Sequence, residues 1–226
     1  MHTIRNYIMA ESLEQAWELN QKGRNNVIIG GNLWLKMGNR NILNAIDLST
    51  LGLDRIEEDE SGFRIGCMAT LRDIEMHEGL NKEFQNLFKE AVRHIVGVQF
   101  RNCATVGGSI FPKLGFSDVL TAFLACDTQV ILYKKGEVSL REFIYMPLDN
   151  DILTHIYVKK DGRKTAYESF RMTETDFPTL TCAMAMVDGR FETVLGARPK
   201  HAEVVIDEEL ADSLSKEDVA SYAKRV

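Results

Sequence analysis

Cysteine is scarce in this sequence, and what there is lies scattered. The four cysteines, Cys67, Cys103, Cys126 and Cys182, are never closer than 23 residues. That spacing excludes the CxxC-type ligand sets of zinc and iron–sulfur sites on this chain. Each cysteine has apolar neighbours, so all four are expected to be buried and reduced, in a cytoplasmic setting. The histidines (His2, His77, His94, His155 and His201) form no HExxH-like cluster, and no metal site is expected. Proline is rare, 4 in 226 residues, and no Ser- or Pro-rich linker divides the chain, so its parts should pack closely. No uncharged run exceeds about a dozen residues, where a membrane-spanning helix needs roughly 20 apolar ones. No membrane association is expected. Positive charge is in deficit: 27 Lys and Arg against 33 Asp and Glu give a net charge of −6, which argues against nucleic acid as a partner. Met1-His2-Thr3-Ile4-Arg5 lacks a basic region followed by an apolar one, so no signal peptide is expected.

What is present reads as an ordinary folded protein, 45% hydrophobic and 27% charged. Ser12-Leu13-Glu14-Gln15 suggests a capping box opening a helix that ends near Gly23. Val27-Ile28-Ile29 and Leu43 to Leu48 read as strands, and so does Arg64 to Met68, followed by a helix capped at Thr70. Phe84, Leu87, Phe88, Ala91, Val92 and Ile95 recur at helical spacing and predict one continuous helix with an apolar face. Ala104 to Ile110 reads as a strand and turn, and Asp118 to Ala125 as a helix. Gln129 to Tyr133, Ile152 to Val158 and Thr165 to Phe170 read as strands. Asp188-Gly189 predicts a type I′ hairpin between Thr181–Val187 and Phe191–Leu195. Residues 208–225 are polar and helix-prone.

Two glycine pairs carry the chemical interest. Gly30-Gly31 follows Val27-Ile28-Ile29, and Gly107-Gly108 follows Thr105-Val106. Glycine lets a backbone turn sharply and approach a ligand closely, and successive free N–H groups make an anion-binding nest. Asn32 and Ser109, one after each pair, add polar side chains. A glycine pair after a strand is also the mark of a plain turn, and that reading stands beside the first. Neither pair belongs to a G-x-G-x-x-G fingerprint, a G-K-[ST] P-loop or a G-x-S-x-G elbow.

A longer stretch carries a resemblance. Gln99-Phe100-Arg101-Asn102-Cys103-Ala104-Thr105-Val106-Gly107-Gly108-Ser109-Ile110, with Ser117-Asp118 after it, resembles the central signature of the FAD-binding (medium) subunits of molybdenum hydroxylases. That family includes the flavin components of xanthine dehydrogenase and aerobic carbon monoxide dehydrogenase. Its pattern is roughly Q-[IV]-R-N-x-[AG]-T-[IV]-G-G-N-[IL] with an Asp nine residues after the last Asn, and Asp118 keeps that spacing from Ser109. Ile28 to Leu33, Gly66 to Leu71 and Phe170 to Met186 resemble three further family segments. Asn32-Leu33 stands where the family has Thr and an acidic residue, and Ser109 where it has Asn.

The resemblance implies an α+β, two-subdomain FAD-binding fold of PCMH type, with subdomains at 1–55 and 56–160. A small, shortened α+β C-terminal domain would follow at 161–226. FAD would lie between the first two. Ile28, Ile29, Gly30, Gly31, Asn32 and Leu33, together with Thr105, Gly107, Gly108, Ser109 and Ile110, would hold its pyrophosphate and ribityl chain. Ser117 and Asp118 would fix the ribityl or adenosine part. Ile95 would pass near the isoalloxazine, and Leu153 near the adenine. The resemblance also implies a [2Fe–2S] small subunit and a molybdopterin-binding large subunit as partners, with NAD⁺ or another molecule as electron acceptor. No side chain is expected to be catalytic, because the cofactor carries the redox chemistry. A different FAD-dependent reductase on the same fold, or a subunit that has lost its flavin, remains open at this point.

Overall fold

A computed structural model describes residues 3–198, 201–207, 221, 222 and 224. The first sheet is parallel, in the order β1-β3-β2, from β1 (Thr3–Met9), β2 (Asn26–Ile29) and β3 (Asn41–Asp47). Helix α1 (Leu13–Gln21) makes the crossover from β1 to β2. Ser12 caps it by accepting the Gln15 N–H at 3.1 Å. The Gln15 side chain returns to the Glu11 N–H at 2.7 Å, one residue outside the cap, so the expected box is shifted by one position. Strand β1 escapes the sequence reading because most of its residues are exposed and show no apolar alternation.

The second sheet is antiparallel, in the order β4-β5-β8-β6-β7. It is built from β4 (Ile56–Glu58), β5 (Gly62–Gly66), β6 (Thr128–Leu132), β7 (Gly136–Ser139) and β8 (Leu153–Lys159). Between β5 and β6 the chain runs through six helices: α2 (Leu71–Met76), α3 (Glu78–Glu83), α4 (Leu87–Val92), α5 (Val98–Arg101), α6 (Val106–Ile110) and α7 (Asp118–Leu124). Helix α8 (Leu140–Phe143) follows β7. Phe63, Phe84, Phe88 and Phe123 form a chain of buried rings linking this sheet to its helices.

Two expectations are corrected here. The helix expected over 84–95 is broken, because Gln85 and Asn86 take left-handed φ values of 46° and 64°. Phe84 and Ile95 therefore lie outside α4, although the apolar face holds: Phe84, Leu87, Phe88, Ala91 and Val92 are all buried. The Asn81 side chain makes the break tolerable. Its amide donates to the carbonyls of Ile74, Glu75 and His77, and its oxygen accepts the Lys89 N–H. The second correction concerns 104–110, where Val106 to Ile110 are helical and Gly107-Gly108 sits within α6 instead of ending a strand. Only Thr105 keeps a sheet-like contact, an isolated bridge to Thr70.

The third sheet is antiparallel, in the order β12-β11-β10-β9, from β9 (Lys164–Arg171), β10 (Pro178–Val187), β11 (Arg190–Gly196) and β12 (Glu203–Asp207). Along β10, Thr181, Ala183, Ala185 and Val187 face inward at period two. The hairpin forms as expected, with Asp188 and Gly189 both at positive φ, 50° and 72°. The helix-prone stretch 208–225 lies outside the described residues except at 221, 222 and 224. Cys67 and Cys126 are buried and Cys182 partly so, but Cys103 is exposed, contrary to expectation. It sits in the short link between α5 and α6, beside the exposed Asn102 and before the chain turns inward at Ala104. Among the described residues no helix is long and apolar enough to cross a membrane.

Candidate functional site

Two adjoining clefts open beside the glycine loop that follows β2. The larger, about 470 Å³, runs between the first sheet and the second. Ile28, Ile29, Gly30, Gly31, Asn32 and Leu33 form one wall, and Thr105, Gly107, Gly108 and Ser109 another. Leu153, at the start of β8, also lines it. The smaller, about 220 Å³, is lined by Ile95, Ser109, Ser117 and Asp118, and by the aromatic rings of Trp34, Phe100, Phe116 and Phe177. Trp34, Ser109 and Leu114 border both. Ile110 borders neither: it ends α6 with its side chain fully buried in the core.

The two glycine pairs do different work. Among the described residues, the N–H groups of Gly31, Asn32 and Leu33 donate to no acceptor. Asn32 is at φ 57°, and its Oδ1 is buried without a hydrogen-bond partner. Unspent amides in a row, with one residue left-handed, are what an anion nest consists of. At the second pair the amides are spent. Val106 N–H donates to Ala69 O, Gly107 to Cys67 O, Gly108 to the Thr105 hydroxyl and Ser109 to Thr105 O. The Ser109 hydroxyl also donates to Thr105 O, at 3.0 Å. Loop 30–33 is therefore the free donor set, and α6 is the wall opposite.

The glycines at the wall are dictated by chain packing. A Cβ on Gly31 would lie 1.7 Å from the carbonyl oxygen of Cys103, and one on Gly107 would lie 2.7 Å from Cys67. On Gly30 it would meet the Thr105 hydroxyl at 2.3 Å. The β2 loop and the 103–105 segment thus press together with no room for side chains, and this close approach sets the width of the larger cleft.

Side-chain bonds hold the smaller cleft. Ser117 caps α7 by accepting the Leu120 N–H at 3.1 Å, and donates to Ser109 O at 3.0 Å. The buried Asp118 accepts the Tyr167 hydroxyl at 2.6 Å and a short hydrogen bond from Arg171. Burial raises the Asp118 carboxyl above its ordinary range, against the lowering pull of Tyr167 and Arg171. Burial also pushes the Tyr167 phenol far up, reinforced by the charge of Asp118. Arg171 donates to Asp176 O at 2.6 Å as well, tying down the loop that carries Phe177. On the other side, Glu75 binds Arg101 through two hydrogen bonds of 2.8 and 3.2 Å, and Arg101 reaches Ile95 O at 3.2 Å. That chain of bonds holds Val96 at φ 51°, an unusual value for a β-branched residue, at the mouth of the cleft.

The sequence reading missed Trp34, Phe116, Phe177 and Arg171 in the smaller cleft, and Arg24 and Arg40 in the larger. Arg40 donates to Arg24 O at 2.7 Å, so two cations stand on the rim. The aromatic residues come from distant segments and carry no local signal.

The comparisons decide the family. Residues 2–158 match the model of the FAD binding domain in molybdopterin dehydrogenase. The chain belongs to that family. The cofactor of this FAD-binding domain is FAD, and its enzyme class is the oxidoreductase subunit of molybdopterin dehydrogenase type. The chain is 26% identical over 195 residues to the protein YgfM of Escherichia coli K12, covering 82% of this chain and 71% of YgfM. It is 27% identical over 195 residues to the glyceraldehyde dehydrogenase medium chain of Sulfolobus acidocaldarius, covering 80% and 69%. Among solved structures it is similar to a carbon monoxide dehydrogenase from Hydrogenophaga pseudoflava that lacks the Mo-pyranopterin moiety. The TM-score is 0.86 at 24% identity, with 99% of this chain and 86% of the other covered. The residues present fit the flavin nucleotide: three unspent amides and an orphaned acceptor suit a diphosphate with neighbouring hydroxyls, and an apolar, ring-lined slot suits a planar heterocycle.

Proposed function

We propose that the chain is the FAD-bearing medium subunit of a molybdenum hydroxylase complex. It would pass electrons from [2Fe–2S] clusters on a small partner subunit to NAD⁺ or another acceptor, in the cytoplasm. A large molybdopterin-binding subunit would oxidise the substrate. FAD, when bound, supplies the redox chemistry, accepting electrons and handing them on. The observation that carries the reading is loop 30–33, with its free amides and the buried, unpartnered Asn32 Oδ1, opening onto a cleft that leads to an aromatic slot. In this reading Gly31, Asn32 and Leu33 hold the pyrophosphate by their N–H groups. Asn32 Oδ1 accepts from a ribityl hydroxyl, Ile95 and the aromatic residues flank the ring, and Leu153 lies towards the adenine. Gly107 and Gly108 form the opposite wall, and Ser117 and Asp118 act by fixing α7 and Arg171. The dispersed cysteines offer no cluster spacing, which supports placing the iron–sulfur centres on a partner. The three sheets, at 3–47, 56–159 and 164–207, support units at 1–55, 56–160 and 161–226.

The test is direct. Purified protein should be yellow and release FAD on heating. Iron–sulfur and molybdopterin subunits should co-purify from the native host, and NADH oxidation with a dye acceptor should read out transfer to or from a nicotinamide. Colourless protein that takes up no added FAD overturns the proposal.

A further inference from the structure

We propose that Trp34 is the platform on which the isoalloxazine ring stacks, at the point where the ring-bearing half of the cofactor turns from the larger cleft into the smaller. The inference rests on the FAD reading above. Three residues border both clefts, Trp34, Ser109 and Leu114, and Trp34 is the aromatic one among them. A planar group passing between the clefts therefore passes the indole. Neighbouring rings fix its orientation. Phe100 and Phe116 meet it steeply, at 73° and 66°, with centroids 5.8 and 6.0 Å away. Phe177 lies nearest to parallel, at 31° and 5.5 Å. Phe177 is thus the ring that now comes closest to stacking on the indole, and both residues line the smaller cleft. Phe177 is 46% exposed and Arg171 holds only the main chain beside it, so its side chain can turn outward and leave that face of the indole to an incoming ring. Chain continuity adds to the geometry. Trp34 directly follows the unspent amides of Gly31, Asn32 and Leu33, so one loop would anchor the diphosphate and face the ring beyond it. An electron-rich indole against an electron-poor heterocycle is a favourable offset stack, worth about 0.5–1.5 kcal/mol beyond the area covered, or roughly two- to tenfold in affinity.

The experiment uses the full-length protein with three probes: FAD, ADP as the half without a ring, and flavin emission excited in the flavin's own visible band. An indole in contact quenches a flavin by electron transfer, whereas a phenyl ring stacks without quenching. Bound FAD should be several-fold dimmer in the wild type than in Trp34→Phe, while the two bind FAD with similar affinity. Trp34→Ala should bind FAD roughly two- to tenfold more weakly and bind ADP unchanged. Trp17, the other tryptophan, borders neither cleft, and Trp17→Phe should leave the dim emission as it is. Equal emission from wild type and Trp34→Phe overturns the inference while the FAD reading stands, and so does unchanged FAD affinity in Trp34→Ala. Absence of FAD binding to the wild type overturns both.

Discussion

Gly31→Ala tests whether the glycine loop is set by packing or by the ligand. The added Cβ would sit 1.7 Å from the Cys103 carbonyl oxygen and 2.5 Å from its carbon. Both are main-chain atoms, so no rotamer change relieves the contact. Real Cβ contacts essentially never fall under 3.0 Å, so the two segments must part by roughly 1.3 Å or more. Overpacking of this kind usually destabilises by about 1–3 kcal/mol, and a backbone-to-backbone clash belongs at the top of that range. For a chain of this length, about 3 kcal/mol corresponds to a fall in Tm of roughly 6–12 °C. The same movement widens the larger cleft at Gly31, Ala104 and Thr105, so FAD affinity should fall together with stability. Gly23→Ala is the control: its Cβ would meet nothing within 4 Å, and its Tm should stay level or rise slightly. Differential scanning calorimetry of both variants without ligand, followed by FAD titration, gives the answer. A Gly31→Ala protein that melts with the wild type would refute the packing argument, whatever its flavin content.

Other perturbations separate the remaining contributions. Gly108→Val puts a branched side chain against the Thr105 hydroxyl, 2.9 Å from the Cβ position, and into the wall of the larger cleft. It should lose FAD, read as the flavin-to-protein absorbance ratio after gel filtration, and retained flavin would show that α6 does not border the cofactor. Asn32→Gly keeps the left-handed backbone and removes the orphaned acceptor, so Tm without ligand should hold or rise. FAD affinity should fall about five- to tenfold, the worth of one net hydrogen bond, by calorimetric titration. Glu75→Gln leaves Arg101 buried beside a neutral group, with an expected loss of about 3 kcal/mol by chemical denaturation at neutral pH. Burial alone would raise the Glu75 carboxyl, but hydrogen bonds from Arg101 and Arg72 hold it below the ordinary value of 4.5. Its contribution is therefore present above that value and lost as pH falls below it. Wild-type stability should decline in that acid window, and Glu75→Gln should decline less; parallel curves would show that Glu75 is not the group being titrated.

Much of this was legible because local rules and tertiary demands agreed. Asp188-Gly189 needs two positive φ values and has them, and the Thr70 cap closes with Asp73 as a complete box. Where the rules failed, a distant contact overrode them. Thr105-Val106 reads as β-prone, yet the amides of Val106 and Gly107 are taken by Ala69 and Cys67, and Thr105 caps a helix. The break at Gln85-Asn86 is stabilised by Asn81, whose bonds to four backbone groups no periodicity reveals. The same holds at the site. Loop 30–33 could be named from its glycines, whereas the four aromatic rings of the smaller cleft come from positions 34, 100, 116 and 177 and meet only in the folded chain.

The third sheet belongs to the architecture of the site, although the family match ends at residue 158. Arg171 and Tyr167 on β9 reach Asp118 at the start of α7, and Arg171 also holds the carbonyl of Asp176. Thr121 on α7 meets Thr181 on β10 at 3.0 Å, and Ala197 N–H donates to Gly115 O at 2.6 Å. These contacts fix two things at once: the angle of α7, which carries the Ser117 cap against Ser109, and the loop that brings Phe177 to Trp34. The Glu75–Arg101 pair does the corresponding work from the opposite side, through Ile95 O. Both latches are buried ion pairs. Such pairs add little net stability over apolar packing but strongly penalise the loss of either partner. Their value here is geometric. They hold the main chain beside a strained valine and beside a partly exposed phenylalanine, both of which line one slot.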